Sequence, residues 1–221
     1  MFKGIIFDLD GTLLDTIETI AYYGNKTLEK YGFSNIETEK YKFMAGNGAK
    51  YLVKCMLAES GVESEELFER AFVDYNKSYN VAPLYKTTVF DGINELILEA
   101  KRRGMKLAVL SNKPHTATVD VINNFFDKCT FDICLGARDG VPLKPDPAPA
   151  LAVANELGLS KDECIYVGDT DVDMKTGNSA GFYTVGVLWG FRDRQELCEN
   201  GADKIVSHPS EIIELVKLEN K

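Results

Sequence analysis

Residues 4–7, Gly-Ile-Ile-Phe, form an apolar run without polar alternation that leads directly into Asp8-Leu9-Asp10-Gly11-Thr12. Such runs suit strands buried on both faces, as in a parallel sheet. With 3–7, the short apolar stretches at 106–110, 131–134, 164–167, 183–188 and 204–206 are expected to be strands. Helical periodicity separates most of them. Over 92–103, Ile93, Leu96, Ile97 and Ala100 fall in register and Gly104 stops the pattern; a second helix is expected to begin near Pro114, and a third over 149–157 ends at Gly158. Strand alternating with helix predicts a doubly wound α/β domain, whose ligands bind at the carboxyl ends of the strands.

Between positions 15 and 89 this rhythm breaks and helical stripes take over. Asp15 with Glu18 has the form of a capping box, and Ile17, Ile20, Ala21, Gly24, Leu28 and Tyr31 trace one face of the helix that follows. Leu52, Val53, Met56 and Leu57 make a second stripe, stopped by Gly61. A third consists of Leu67, Phe68, Ala71, Phe72, Tyr75 and Tyr79, read as packing between helices. A helical cap over 15–87 is therefore expected, inserted into a core made of 1–14 and 88–221, with connectors at 13–16 and 84–88.

Composition then limits the function. The 221 residues are 45% hydrophobic, enough for a sizeable core, and 25 Lys and Arg against 34 Asp and Glu give a formal charge of −9. That balance disfavours a general binder of nucleic acid or anionic membrane, so an anionic substrate needs a local cluster of donors or a metal. No signal-peptide pattern and no apolar stretch approaching the roughly 18 residues of a membrane span are seen, and a cytoplasmic location is expected. The five cysteines, Cys55, Cys129, Cys134, Cys164 and Cys198, lack metal-ligand spacing and read as reduced, core-filling thiols.

Candidate chemistry sits where the strands end. Asp8 and Asp10 flank Leu9 at the end of the first strand and would repel each other unless a cation or proton lay between them. Three further stretches, Leu110-Ser111-Asn112-Lys113, Leu143-Lys144-Pro145-Asp146-Pro147 and Val167-Gly168-Asp169-Thr170-Asp171-Val172-Asp173-Met174, follow strands or precede helices and can converge on one rim.

Taken in order, Asp8-Leu9-Asp10-Gly11-Thr12, Ser111 after an apolar strand, Lys144 before Pro145, and Gly168-Asp169 with Asp173 resemble the four motifs of the haloacid dehalogenase superfamily. The resemblance spans essentially the whole chain. Within the superfamily, Ala45-Gly46-Asn47-Gly48, Thr12-Leu13 and 186–192 (Gly-Val-Leu-Trp-Gly-Phe-Arg) are most similar to phosphoglycolate phosphatases and their near relatives. It implies a three-layer Rossmann-like core with a parallel sheet and a small all-helical cap over the active site.

Residue types support the same chemistry. Phosphoryl transfer needs an in-line nucleophile, a proton donor for the leaving oxygen and positive charge around the equatorial oxygens. Asp8 can be the nucleophile and form an aspartyl-phosphate, while Asp10 protonates the leaving alkoxide and later deprotonates the attacking water. Mg²⁺, a hard cation, would be held by Asp8, the backbone carbonyl of Asp10 and Asp169, with Asp173 orienting from outside that shell. Lys144 supplies compact charge, and Ser111 and the amide of Asn112 donate to phosphoryl oxygens. Thr12, Gly48 and Lys50 complete the expected substrate-binding set, Lys50 meeting a second anionic group from the cap loop. Carbon–halogen-cleaving members of the superfamily lack the second aspartate, so Asp10 favours phosphate-ester chemistry.

The sequence thus points to a Mg²⁺-dependent phosphatase of a small phosphorylated metabolite, phosphoglycolate being the nearest named candidate, as monomer or homodimer. A sugar phosphomutase, an inorganic pyrophosphatase or nucleotide phosphatase, and a non-enzymatic phosphoacceptor domain are the alternatives. Asp171 is expected to cap the helix running to Ala180. Lys113 follows Ser111 at the rim, His115 reads as a surface histidine without a role, and Trp189 and Arg192 are expected on a late loop packed against the core.

Overall fold

The computed structural model describes residues 1–82 and 84–216. Strands are β1 (Gly4–Phe7), β2 (Leu14–Asp15), β3 (Thr88–Val89), β4 (Lys106–Pro114), β5 (Ile133–Ala137), β6 (Cys164–Gly168), β7 (Tyr183–Val187) and β8 (Lys204–Val206). Helices are α1 (Ile17–Lys30), α2 (Thr38–Met44), α3 (Ala49–Glu59), α4 (Glu65–Val81), α5 (Ile93–Arg102), α6 (His115–Phe125), α7 (Ala148–Glu156), α8 (Asp171–Ala180), α9 (Arg194–Glu199) and α10 (Ser210–Leu215).

The period of two along the strands builds an α/β, Rossmann-like core. Ile5, Phe7, Leu107, Val109, Ile165 and Val167 face one side of the sheet and meet Ile93, Leu96, Ile97 and Ala100 of α5, Val121 and Ile122 of α6 and Ile212 of α10. The alternate residues Ile6, Ala108, Leu110, Cys164 and Tyr166 face the other side and meet Ala150, Val153 and Ala154 of α7 and Ala180 of α8. Both faces of the sheet are thus covered, as its unbroken apolar strands require. The main sheet has the order β5-β4-β1-β6-β7-β8, with β1 paired in parallel to β4 on one side and β6 on the other. From β1 the chain fills one side and then the other, so the topological switch point lies at the end of β1.

Helices α1 to α4 pack around an apolar cluster of their own, including Ile20, Leu28, Tyr41, Val53, Met56, Phe68 and Ala71. Phe191, from the loop after β7, joins that cluster. An antiparallel ladder, Leu14 to Val89 and Asp15 to Thr88, ties the two ends of the helical segment together where connectors were expected.

Several local expectations change. Asp15 lies in β2, so the residue before α1 is Thr16, which makes no side-chain cap; Asp15 Oδ1 instead accepts from Ile17 N at 3.3 Å, and Glu18 pairs with Lys86. The cap of α8 is Thr170, not Asp171: Thr170 and Asp173 form a reciprocal capping box, while Asp171 pairs with Lys175 one turn on. Strand β5 begins at Ile133, two residues after the expected start at 131. Cys129 and Cys198 are exposed and therefore fill no core, whereas Cys164 is buried. Helix α2 escaped the periodicity because it is only 7 residues long and buries only Tyr41 and Met44. No helix among the described residues is long and apolar enough to cross a membrane.

Candidate active site

The turn after β1 is shaped by Gly11. Its φ is +86°, and a Cβ there would stand 2.2 Å from Asp169 Oδ2. A glycine is therefore required both by the backbone and by the approach of Asp169. The turn leaves Asp8 buried at the carboxyl end of β1 and Asp10 half-buried on the pocket wall. Across the switch point, β6 ends in Gly168 and delivers the buried Asp169; the first turn of α8 delivers the buried Asp173.

Carboxylate oxygens of Asp8, Asp169 and Asp173 lie within 4.8 Å of one another. Lys144, on the loop before α7, is buried among them, with Nζ 2.7 Å from Asp8 Oδ1 and 2.7 Å from Asp173 Oδ1. Three carboxylates against this one ammonium leave a negative excess in a dry place. Burial pushes the Asp8 carboxyl up to about 7 despite Lys144, with Asp173 adding to the rise. Asp169 is likewise held well above the usual carboxylate range by burial and by Asp173 and Asp8. Burial works against the charge on Lys144, but Asp173 and Asp8 outweigh it and hold its pKa well above the ordinary value.

This donor set fits a hard divalent cation: all oxygen, clustered and short of positive charge. Capacity for a metal is uneven. Asp173 Oδ1 takes Lys144 and its Oδ2 takes both Thr170 N (3.1 Å) and Thr170 Oγ1 (2.7 Å). Asp169 accepts one bond on each oxygen, from Thr12 Oγ1 at 2.8 Å and Phe191 N at 2.9 Å, so each retains a lone pair. Asp8 and Asp169 are therefore freer to ligate than Asp173.

Strand β4 supplies the second wall. Its register with β5 shifts between Leu110 and Pro114, an irregularity of the kind that re-aims side chains beside sites. Ser111, Asn112 and Lys113 emerge there and line a cavity of about 60 Å³ with Asp8, Asp10, Gly46, Gly48, Leu52 and Tyr79 among others. The Asn112 side chain works as a clamp: Nδ2 donates to Lys144 O (2.9 Å) and Gly46 O (3.0 Å), and Oδ1 accepts from Lys144 N (2.9 Å). It fixes the lysine loop and holds the helical layer's 45–48 loop to the sheet.

The structure therefore brings Asp8, Asp10, Gly48, Ser111 and Asn112 to the cavity, with Lys144, Asp169 and Asp173 packed against Asp8. Two expected substrate contacts lie elsewhere. Thr12 is fully buried and its hydroxyl positions Asp169, while its carbonyl accepts from Trp189 Nε1 at 2.9 Å. Lys50, the second residue of α3, lies outside the cavity lining, its Nζ 5.7 Å from the centre of the Phe72 ring. Gly46 and Gly48 belong to the loop before α3, so where Lys50 points depends on how α3 is rotated.

Lys113, expected only at the rim, lies in the pocket wall. Its side chain is only 5% exposed and its Nζ lies 2.7 Å from Asp10 Oδ1. Asn76, Tyr79 and Asn80 of α4 also line the cavity. Their polarity at the end of an otherwise apolar stripe was the available signal. Arg192 donates to the carbonyls of Lys42 and Ala45, and so joins the core to the helical layer. His115 stays at the surface, its ring accepting from Gly136 N and meeting Arg138.

A family model described as haloacid dehalogenase-like hydrolase matches residues 5–187. A phosphoglycolate phosphatase of Aquifex aeolicus is 30% identical over 213 residues, covering 96% of this chain and 95% of its own. One from Cereibacter sphaeroides is 30% identical over 217 residues, covering 97% of each chain. Among solved structures, a candidate phosphoglycolate phosphatase from Lactobacillus delbrueckii subsp. bulgaricus superposes with a TM-score of 0.91 at 28% identity, covering 97% of this chain and 98% of its own.

Proposed function

The chain belongs to the haloacid dehalogenase-like hydrolases, and we propose that it is a Mg²⁺-dependent phosphatase that hydrolyses a small phosphomonoester through an aspartyl-phosphate on Asp8. The observation that carries this reading is the buried cluster of Asp8, Asp169, Asp173 and Lys144 beneath a pocket whose wall holds Asp10. Relatives named phosphoglycolate phosphatase along nearly the whole chain support an organic acid ester as substrate.

Asp8 and Asp169 would hold the metal, with Asp173 and Thr12 keeping Lys144 and Asp169 in place. Bound there, Mg²⁺ supplies positive charge against the phosphoryl oxygens. Asp8 attacks phosphorus as the ester bond to the leaving oxygen breaks, and Asp10 gives that oxygen its proton. Asp10 then takes a proton from the water that cleaves the acyl phosphate, returning Asp8. Lys144, held protonated, stays beside the nucleophile, and Ser111 with the Asn112 amide meets the transferring group. Helices α1 to α4 act as the cap that keeps other water away.

The test is phosphate release with Mg²⁺ across a panel of small phosphomonoesters. Wild type should turn over many times with at least one ester, and Asp8→Asn should fall below detection while remaining folded by circular dichroism. A single turnover that stalls as phosphoprotein would indicate a phosphoacceptor, and isomerised sugar phosphate without free phosphate a mutase. Full activity of Asp8→Asn would sink the covalent route.

A further inference from the structure

The two aspartates that flank Leu9 each have a lysine of their own. Lys144 Nζ stands 2.7 Å from Asp8 Oδ1, and Lys113 Nζ stands 2.7 Å from Asp10 Oδ1. Lys144 divides its charge between Asp8 and Asp173, whereas Asp10 Oδ1 is the one hydrogen-bond acceptor of Lys113 Nζ among the described residues. The Lys113 side chain is buried, so its ammonium has little water to turn to. Its backbone is fixed at the irregular end of β4, where Lys113 N donates to Ser111 Oγ (3.2 Å) and Lys113 O accepts from Thr118 Oγ1 (3.2 Å). The ammonium also lies 4.8 Å from the centre of the Tyr79 ring, within range of a cation–π contact. That ring is held in turn by other aromatic rings, its centre 5.5 Å from that of Tyr23 and 5.7 Å from that of Tyr75.

We propose that Lys113 is a positioning residue for Asp10, and that the Tyr79 ring seats Lys113. The inference rests on the phosphatase reading, in which Asp10 passes the proton. An aspartate on a pocket wall turns about two side-chain bonds, and a proton donor contributes only while it is held within hydrogen-bond reach of the leaving oxygen. One charge-assisted bond to Oδ1 opposes that rotation. It also divides the carboxyl group between two tasks. Oδ1 accepts from Lys113 as a carboxylate oxygen when Asp10 is ionised and as a carbonyl oxygen when it is not. Oδ2, which has no hydrogen-bond partner among the described residues, is left to give its proton to the leaving oxygen and then to take one from water. Lys113 thus serves the acid as Lys144 serves the nucleophile, without touching the reacting atoms itself.

The test compares phenyl phosphate with p-nitrophenyl phosphate in Mg²⁺. Their rings are alike, but phenolate is the poorer leaving group and needs the proton more. The readout is the ratio of kcat/KM, phenyl over p-nitrophenyl. Lys113→Met keeps an apolar stem and removes the ammonium, and the ratio should fall about tenfold, part of the roughly hundred- to ten-thousandfold that a positioned acid contributes. Tyr79→Leu, which removes the ring and keeps apolar bulk, should lower it by a smaller factor. Added to Asp10→Asn, Lys113→Met should leave the ratio where Asp10→Asn has put it, because residues that act as one unit are not additive. Equal losses on both esters in Lys113→Met, or a further fall in the double variant, would place Lys113 on the substrate and overturn the assignment, and an unchanged ratio in Tyr79→Leu would remove the ring from it. A crystal structure of Lys113→Met gives an answer that needs no turnover: the Asp10 carboxyl should leave its wild-type rotamer, and an unmoved Asp10 would count against positioning. Should wild type release phosphate from no ester at all, the phosphatase reading falls, while this last comparison still decides whether Lys113 holds Asp10.

Discussion

Asp8 shows how much one side chain depends on its surroundings. In water an aspartate titrates near ~3.9, whereas burial raises Asp8 to about 7 against the pull of Lys144. The raised folded value means that the native protein binds more protons than the unfolded chain between those two pKa values. Stability of the metal-free protein should therefore be lost as pH rises through that window, from about 4 to about 7. Asp8→Asn removes the titrating group. In chelator, the Tm of Asp8→Asn minus that of wild type should become more positive from pH 5 to pH 8. A difference independent of pH would show that Asp8 is not destabilised by its burial.

At the scale of elements, the link between sheet and helices rests on few contacts with strong chemistry. The loop after β7 sends Phe191 into the helical cluster and Arg192 onto the carbonyls of Lys42 and Ala45, beside Glu196 at 2.9 Å and the Phe43 ring at 5.3 Å. Asn112 grips Gly46 O from the other side. Arg192→Ala leaves both carbonyls short of a donor and frees the 42–46 segment. Hydrogen bonds to charged groups are worth roughly 1.5–3 kcal/mol each, less where water can replace the donor. We expect a loss of about 2 kcal/mol in denaturant unfolding and a KM raised more than kcat is lowered, because the pocket's lid is held less firmly. An unaltered KM would separate this contact from substrate binding. The same loop places Phe191 N on Asp169, so one segment serves both the carboxylate floor and its cover.

Across the whole molecule, the carboxylate cluster is a place where folding free energy is stored against a cation. Three buried carboxylates cluster at the switch point of the sheet, and one lysine pairs with two of them. Binding Mg²⁺ to the native state alone stabilises by about 2.7 kcal/mol at a hundred times Kd. For a chain of this size that corresponds to a Tm rise of about 5–10 °C. Asp169→Asn should abolish most of that rise together with phosphate release, since it removes a charge with spare lone pairs. Scanning calorimetry with and without Mg²⁺ checks it, and an undiminished rise in Asp169→Asn would remove Asp169 from the metal's ligands. Asp173→Asn is expected to keep more of the rise, since Asp173 is already engaged by Lys144 and Thr170.

Local chemistry made the sheet and its rim legible in the sequence. Apolar runs such as Ile5-Ile6-Phe7 can only be buried on both faces, and the polar residues that interrupt them, Asp8, Ser111 and Asp169, must then sit at strand ends. Helical stripes made the insertion legible for the same reason. What local pattern could not carry was rotation and distance. Whether Lys50 or Tyr79 faces the cavity depends on how α3 and α4 turn against the sheet, and both positions satisfy an amphipathic helix equally well. Thr12 turns to Asp169 and Lys113 to Asp10 because hydrogen-bond partners 157 and 103 residues away decide where each side chain points. Caps behaved alike: Asp15 was drawn into a ladder with Thr88, and Thr170 took the cap of α8 by pairing with Asp173. Periodicity reports which face of an element is apolar, while the partner that face meets is set only when distant segments pack together.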